Sequence, residues 1–337
     1  MPLTLLTPPQ PPAVHGADAV ETAGLGVRRG ARSVLDGVSL SVRPGNVLAV
    51  VGGSGAGKTA LLRILATLAA PDAGSAAICG LDTVREAVRV RRLIGLAGGR
   101  SRLDDNLTVR QNLYLVGRLT GLDRFAAAVR ARELLARLEL GAVADRRPTH
   151  WPPGLRSRLD LALGLVGRPR VLLLDEPAAD LDADAREQLG DVVREVAAGG
   201  AAVLFTTRRL QEADRLADEV AVLARGTLAA LGTPEQLRTA GGALRLEVRP
   251  ARPADLDRTA VIATRTLGEL PERTAGGRLS FPISDPALPP VVLRDLGRAG
   301  VPPTEFALRR SRPDEVLLAL TGKPRACATT RRPEGRC

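Results

Sequence analysis

Gly52-Gly53-Ser54-Gly55-Ala56-Gly57-Lys58-Thr59 fits the pattern G-x-x-x-x-G-K-[ST] at every fixed position. Each residue type has a chemical reason to be there. Glycines let the backbone curl so that several N–H groups point at one phosphate. A helix beginning around Lys58, with Ala60 in its first turn, adds its positive N-terminal dipole. Lys58 reaches the β- and γ-phosphates of a nucleotide, and the Thr59 hydroxyl ligates Mg²⁺. Lys58 also stands out in the composition, since Lys58 and Lys323 are the chain's only lysines. A second stretch, Val171-Leu172-Leu173-Leu174-Asp175-Glu176-Pro177, is an apolar strand ending in two carboxylates. At the edge of a phosphate site, Asp175 holds the Mg²⁺ shell, while Glu176 orients and deprotonates the attacking water. Each stretch points to this chemistry alone, and each strengthens the other, because nucleotide hydrolysis needs both. The pair predicts Mg-ATP binding and hydrolysis.

Such residues need a scaffold that brings strand ends together. The runs 46–51, 171–174 and 201–207 are short and apolar and read as buried strands. Leu61, Leu62, Ile64, Leu65 and Leu68 give a helix after the glycine loop. Leu189, Val192, Val193 and Val196 give another over 184–198. This alternation predicts an α/β fold with parallel strands over residues 21–240, and the motif at Gly52 to Thr59 makes it the P-loop NTPase kind. Residues 104–158 are helical in pattern and read as an inserted helical subdomain. Thr233-Pro234-Glu235-Gln236 reads as a helix start with a capping-box Gln. A small α+β domain is expected over 243–322. Its strands are marked by Leu244, Leu246 and Val248 and by Leu279, Phe281 and Ile283, and its closing helix lies over 314–320. Residues 1–20, with five prolines, and the basic stretch 323–337 read as disordered ends.

Composition narrows the function classes. The 337 residues suit about two domains. The net charge is +11, but no block of five or more basic residues occurs, so the charge reads as spread over the surface. Aromatics are 2% of residues, leaving few rings to stack on bases, and no nucleic-acid partner is expected. Cys79, Cys327 and Cys337 show no metal or redox spacing and suggest a reducing compartment; Cys79 reads as core within a strand over 75–80. No apolar run approaches the roughly 18 residues that span a bilayer, and the N-terminus does not read as a secretory signal. Membrane spans, if the protein serves a membrane, are expected from another chain.

With both nucleotide motifs in place, the sequence resembles an ABC-transporter ATPase. It is most similar to drug-exporter subunits of the daunorubicin/doxorubicin-resistance type, over residues 23–322. The resemblance is carried further by Val34-Leu35-Asp36-Gly37-Val38-Ser39-Leu40 before the loop and Arg158-Leu159-Asp160-Leu161-Ala162 after the signature position. It continues in the D-loop-like Ala179-Asp180-Leu181-Asp182, in 210–218, and in Asp314-Glu315-Val316-Leu317-Leu318-Ala319-Leu320-Thr321-Gly322. Membership implies ATP and Mg²⁺ as cofactors. It implies a second ATP-binding subunit, homo- or heterodimeric, that sandwiches two nucleotides between P-loops and signature motifs. It also implies a separate transmembrane permease at the cytoplasmic face of the membrane and outward pumping of a small, often hydrophobic compound.

Four positions depart from the family pattern. The signature reads Trp151-Pro152-Pro153-Gly154-Leu155, so prolines replace donors that normally face the partner's nucleotide. The Q-loop glutamine is Gly99, the switch histidine is Arg208, and the adenine-stacking aromatic is Arg29. Arg208 can still hold a γ-phosphate but stays charged and moves no proton. Two readings follow: an exporter ATPase of weakened turnover, or a degenerate ATP-binding subunit that regulates or pairs with an active one. A soluble ABC protein acting on ribosomes or DNA fits poorly, because the chain has a single P-loop and no sustained heptads.

Overall fold

A computed structural model describes residues 18–98, 104–149, 151–179, 181–240, 244–274, 276–283, 285–310 and 316. Gly99, residues 1–17 of the lead expected to be disordered over 1–20, the basic end at 323–337, and the closing helix at 314–320 apart from Val316 lie outside the described residues. Ala19 and Val20, at the end of that lead, are instead buried, and Val20 opens the first strand.

The chain divides into two compact units at Leu237/Arg238. In the first, β1 (Val20–Arg29) and β2 (Arg32–Val42) form a hairpin. β1 also pairs with β4 (Ala73–Ile78), which is extended by the short β5 (Leu81–Asp82), completing an antiparallel sheet in the order β2-β1-β4-β5. Between them in sequence come β3 (Val47–Val51) and helix α1 (Lys58–Leu65). A one-turn helix α2 (Ala87–Val90) leads to β6 (Ile94–Gly98). The helical insertion is α3 (Val109–Leu119), α4 (Arg124–Arg137) and α5 (Pro153–Leu165). The α/β alternation then resumes with β7 (Val171–Asp175), α6 (Ala183–Ala198), β8 (Ala202–Thr207) and α7 (Leu210–Leu216). It ends in the hairpin of β9 (Glu219–Ala224) and β10 (Thr227–Gly232), followed by α8 (Pro234–Ala240).

The second sheet has the order β10-β9-β3-β8-β7-β6, parallel except at β10. Burial on both faces explains its composition: β3 is Val-Leu-Ala-Val-Val and wholly buried, and β8 is buried at all six positions. Leu48, Val50, Leu173 and Leu204 of this sheet share one core with Leu25, Leu40 and Ile78 of the antiparallel sheet and with Leu61, Ile64 and Leu65 of α1. In-register pairing sets Val51 beside Thr207, Asp175 beside Thr206, and Gly98 beside Asp175. The carboxyl ends of four parallel strands, β3, β8, β7 and β6, therefore open at one edge, where such folds place ligands.

Several expectations shift in detail. α1 stops at Leu65, because Thr67 turns left-handed at φ 59°, and Leu68 is exposed beyond it. β4 ends at Ile78, so Cys79 is not in a strand; it occupies a left-handed turn at φ 49° and packs half-buried against the core. The last helix of the insertion does not stop at 158 but runs to Leu165. α3 starts with a capping box between Thr108 and Gln111, and Gln236 and Thr233 form the one expected at α8.

The second unit contains β11 (Leu244–Pro250), α9 (Leu256–Leu267), β12 (Glu272–Thr274), β13 (Arg278–Ile283), α10 (Leu288–Arg298) and β14 (Pro303–Arg310). Its antiparallel sheet has the order β12-β13-β11-β14. Leu246, Val248, Leu279, Phe281 and Ile283 pack against Ala263, Val292 and Leu296 of the two helices. On the opposite face, Arg245 is buried, donating to Ser280 Oγ at 2.7 Å and to Glu272 Oε2 at 2.8 Å.

Candidate nucleotide site

The glycine loop is shaped by close approach on two sides. Gly57 has φ 107°, and a Cβ there would lie 2.6 Å from Leu35 Cδ2 and 2.7 Å from Val34 O. A Cβ on Gly52 would lie 2.4 Å from Leu223 O. The loop is thus wedged between β2 and the end of β9. It is tied there by Gly226 N–H donating to Ala56 O at 3.1 Å. Gly53 and Ser54 are exposed, as is Gly55 with φ 77°, so the concave side of the loop stays open. Bonding within α1 begins with Leu61 N–H to Gly57 O at 3.0 Å, and Gly57 offers no side-chain cap. The N–H groups of Lys58, Thr59 and Ala60 therefore face the loop without a helical acceptor. Together these features form a cradle for an anion.

Lys58 is buried, and its Nζ donates to Gly52 O at 2.7 Å and Gly53 O at 3.0 Å, with Glu176 Oε1 at 3.5 Å. Burial pushes its pKa below the ordinary lysine value; the Glu176 carboxylate works against that shift, and Arg208 adds to it.

Asp175 ends β7 and accepts two hydroxyls. Thr59 Oγ1 donates to Oδ2 at 3.1 Å, and Thr206 Oγ1 donates to Oδ1 at 2.7 Å. Thr206 also accepts from Glu176 N–H at 2.9 Å. One buried hydroxyl of β8 thereby fixes both acidic residues. Sequence reading missed Thr206, because a threonine in an apolar run reads as strand propensity alone. Glu176 has left-handed backbone, φ 47°, which turns its side chain out of the strand direction. Arg208 donates from Nε at 2.9 Å and lies 2.7 Å away through NH2, both to Glu176 Oε2. The structure therefore brings Lys58, Thr59, Asp175, Glu176 and Arg208 into one cluster.

Magnesium fits this donor set. Thr59 and Asp175 supply two hard oxygens side by side, and no group of three or more His, Cys, Asp or Glu among the described residues would hold a metal without further donors. An ion that completes its shell with phosphate and water suits such a pair.

Other sequence candidates are placed differently. Arg29 is exposed at the end of the β1–β2 hairpin, in register with Arg32. It is Arg32 whose NH2 lies 3.4 Å from the Cβ position of Gly55, and no carboxylate among the described residues pairs with it. An arginine among so many gave no signal in the sequence. Asp182 caps α6, accepting from Ala185 N–H at 2.8 Å.

A family model for ABC transporters matches residues 35–179. The daunorubicin resistance ATP-binding protein DrrA3 of Streptomyces coeruleorubidus is 42% identical over 309 residues, covering 91% of this chain and 97% of that protein. The chain belongs to the ABC transporter ATP-binding subunits. The Nod factor export ATP-binding protein I of Burkholderia pseudomallei is 35% identical over 292 residues, covering 86% of this chain and 92% of the relative. A solved structure of an ATP-binding subunit of an ABC transporter superposes with TM-score 0.63 at 27% identity, covering 66% of this chain and 93% of that one.

In this ABC subunit the residues expected to be the signature start α5. Pro152 is the N-cap and Pro153 the first helical residue, where a missing N–H does not cost an intrahelical bond. Gly154 and Leu155 still carry N–H groups on that first turn. α5 is held hard against β6: a Cβ on Gly95 would lie 1.9 Å from Gly164 O. At the end of β6, Gly98 has φ 86°, and a Cβ there would meet Asp175 O at 2.2 Å.

Proposed function

We propose that this subunit binds Mg-ATP and couples its hydrolysis to export of a small, hydrophobic compound through a separate membrane permease. The observation that carries the reading is the hydrogen-bonded run Thr59–Asp175–Thr206–Glu176 beside the glycine cradle. Gly52 to Thr59 and Ala60 receive the phosphates by backbone N–H, with Lys58 as the cation. Thr59 and Asp175 would hold Mg²⁺, which would neutralise phosphate charge as a Lewis acid. Glu176 accepts a proton from the attacking water. Arg208 takes the terminal phosphate, and Arg29 and Arg32 lie on the hairpin that flanks the loop. No helix among the described residues is long and apolar enough to cross a membrane. The chain accordingly works peripherally, at the cytoplasmic face, with the permease supplying the spans. A second ATP-binding subunit completes each nucleotide site through its signature motif. The drug-resistance and Nod-factor relatives support export of a small molecule as the class of cargo.

The decisive experiment measures Mg-dependent ATP binding and turnover by the chain with its permease, with Glu176→Gln as control. Binding with turnover above that control supports the reading. Binding with turnover equal to the control supports the second reading, a subunit that binds ATP but leaves hydrolysis to a partner. Two features favour that alternative: the donor-poor Pro152-Pro153 turn, and Glu176 held between two cations.

A further inference from the structure

The geometry points to a latch: Arg208 holds Glu176 out of the chemistry until a terminal phosphate draws the guanidinium away. The inference rests on the ATP-binding reading above and adds how the site tells ATP from ADP. Two guanidinium nitrogens of Arg208 engage one carboxylate oxygen, Oε2, at 2.9 and 2.7 Å. The other oxygen, Oε1, faces Lys58 Nζ at 3.5 Å. While both contacts stand, Arg208 takes up Oε2 and Lys58 lies beside Oε1, so the carboxylate is held against two cations instead of against a water.

The two partners differ in freedom. Glu176 is tethered by its N–H to Thr206 and is mostly covered, whereas the Arg208 side chain is 57% exposed. A cavity of about 270 Å³ opens beside the pair, lined by Glu176, Ala179, Thr207, Arg208, Arg209 and Glu212. It is large enough for a phosphate-sized anion. Neighbouring Arg209 is not equivalent, since its NH1 lies 3.6 Å from Glu212 Oε1 and its N–H donates to Thr207 Oγ1 at 3.0 Å.

Arginine stays protonated at every working pH, so deprotonation cannot open this contact. Only a competing anion can. A terminal phosphate offers more charge and more acceptor oxygens than a carboxylate, in the planar arrangement a guanidinium matches. ADP has no such group to offer. Once Arg208 moves, Oε2 recovers its lone pairs. A histidine at the same place would hold Glu176 less firmly and would let go on losing its proton. Arg208 thus acts through Glu176 as a positioning residue and makes release of the base conditional on the third phosphate.

The test is a binding cycle on the full chain, using ADP and a non-hydrolysable ATP analogue with wild type, Glu176→Gln, Arg208→Gln and the double variant. Freeing Arg208 by Glu176→Gln is expected to tighten the ATP analogue about three- to tenfold, the strength of a half-exposed charged pair, and to leave ADP nearly unchanged. In the Arg208→Gln background the same Glu176→Gln change is expected to have no effect on the ratio of the two affinities. Arg208→Lys, with one charge but no fork, is expected to fall between. Equal tightening of both nucleotides, or tightening that persists without Arg208, overturns the latch, because plain removal of a negative charge would explain it. A wild-type chain that binds neither nucleotide overturns the ATP reading itself, and the latch with it.

Discussion

Lys58 is a cation in a place that disfavours cations. It is buried, it donates to two carbonyls, and its pKa is lowered mainly by desolvation. The charged form binds phosphate, so affinity is full below that lowered pKa and falls as pH rises through it, sooner than for an ordinary lysine. Titrating nucleotide affinity on the alkaline side should reveal this limb, and Lys58→Arg should remove it, since arginine keeps its charge. Thr206 gives a second expectation. Thr206→Val keeps the shape but deletes both the bond to Asp175 and the acceptor for Glu176 N–H. Turnover should fall about 10- to 100-fold, the usual effect of losing a group that orients a metal ligand, with the circular dichroism spectrum unchanged. An unaltered rate would show that the two carboxylates hold their places without the hydroxyl. Lys58, Thr59, Asp175 and Glu176 were legible because their chemistry is written in spacing. Thr206 and Arg32 were not, because a hydroxyl inside an apolar strand and one arginine in an arginine-rich chain have no spacing of their own.

At the level of elements, the glycine loop is a question of clearance. Gly57 needs both a left-handed backbone and an absent Cβ, while a Cβ on Gly53 would meet nothing within 4 Å. Gly57→Ala should therefore cost at least about 2 kcal/mol in denaturant unfolding, from αL strain plus overpacking against Leu35 and Val34. Gly53→Ala should be close to neutral for stability and should act, if anywhere, on nucleotide affinity. Reversed outcomes would mean that the wedge between β2 and β9 gives way easily. Apolar run and period were enough to find β3, β7, β8 and α6, since burial on both faces leaves little choice of residue. Element ends were less legible. α1 stops at a left-handed Thr67 and β4 at a left-handed Cys79, and neither residue type advertises that conformation.

For the whole molecule, the proposed function gives one chain half of each nucleotide site. Pro153 suits the start of α5 as a helix but not as a donor to a nucleotide bound by a partner. Replacing Pro152 by Ser and Pro153 by Gly in the assembled transporter should raise ATP turnover about tenfold or more, by restoring contacts of the kind that each bring 10²–10³ in rate. A rate left unchanged would place the limiting step elsewhere, with Arg208 the next position to test. Strand alternation from Leu244 onward is legible as β11 of the second unit, but the role of that unit, with its buried Arg245 on the sheet's polar face, leaves no signature in the sequence. The contact between Gly95 and Gly164 has a mechanical consequence. Backbone touches backbone there, with no layer of side chains to slide or shear. Helix α5 and strand β6 are therefore expected to move together at this contact, and the strand ends at Gly98, packed against the main chain of Asp175. A push delivered to the helical insertion from outside is expected to reach the carboxylates as displacement, without any chemical messenger between them.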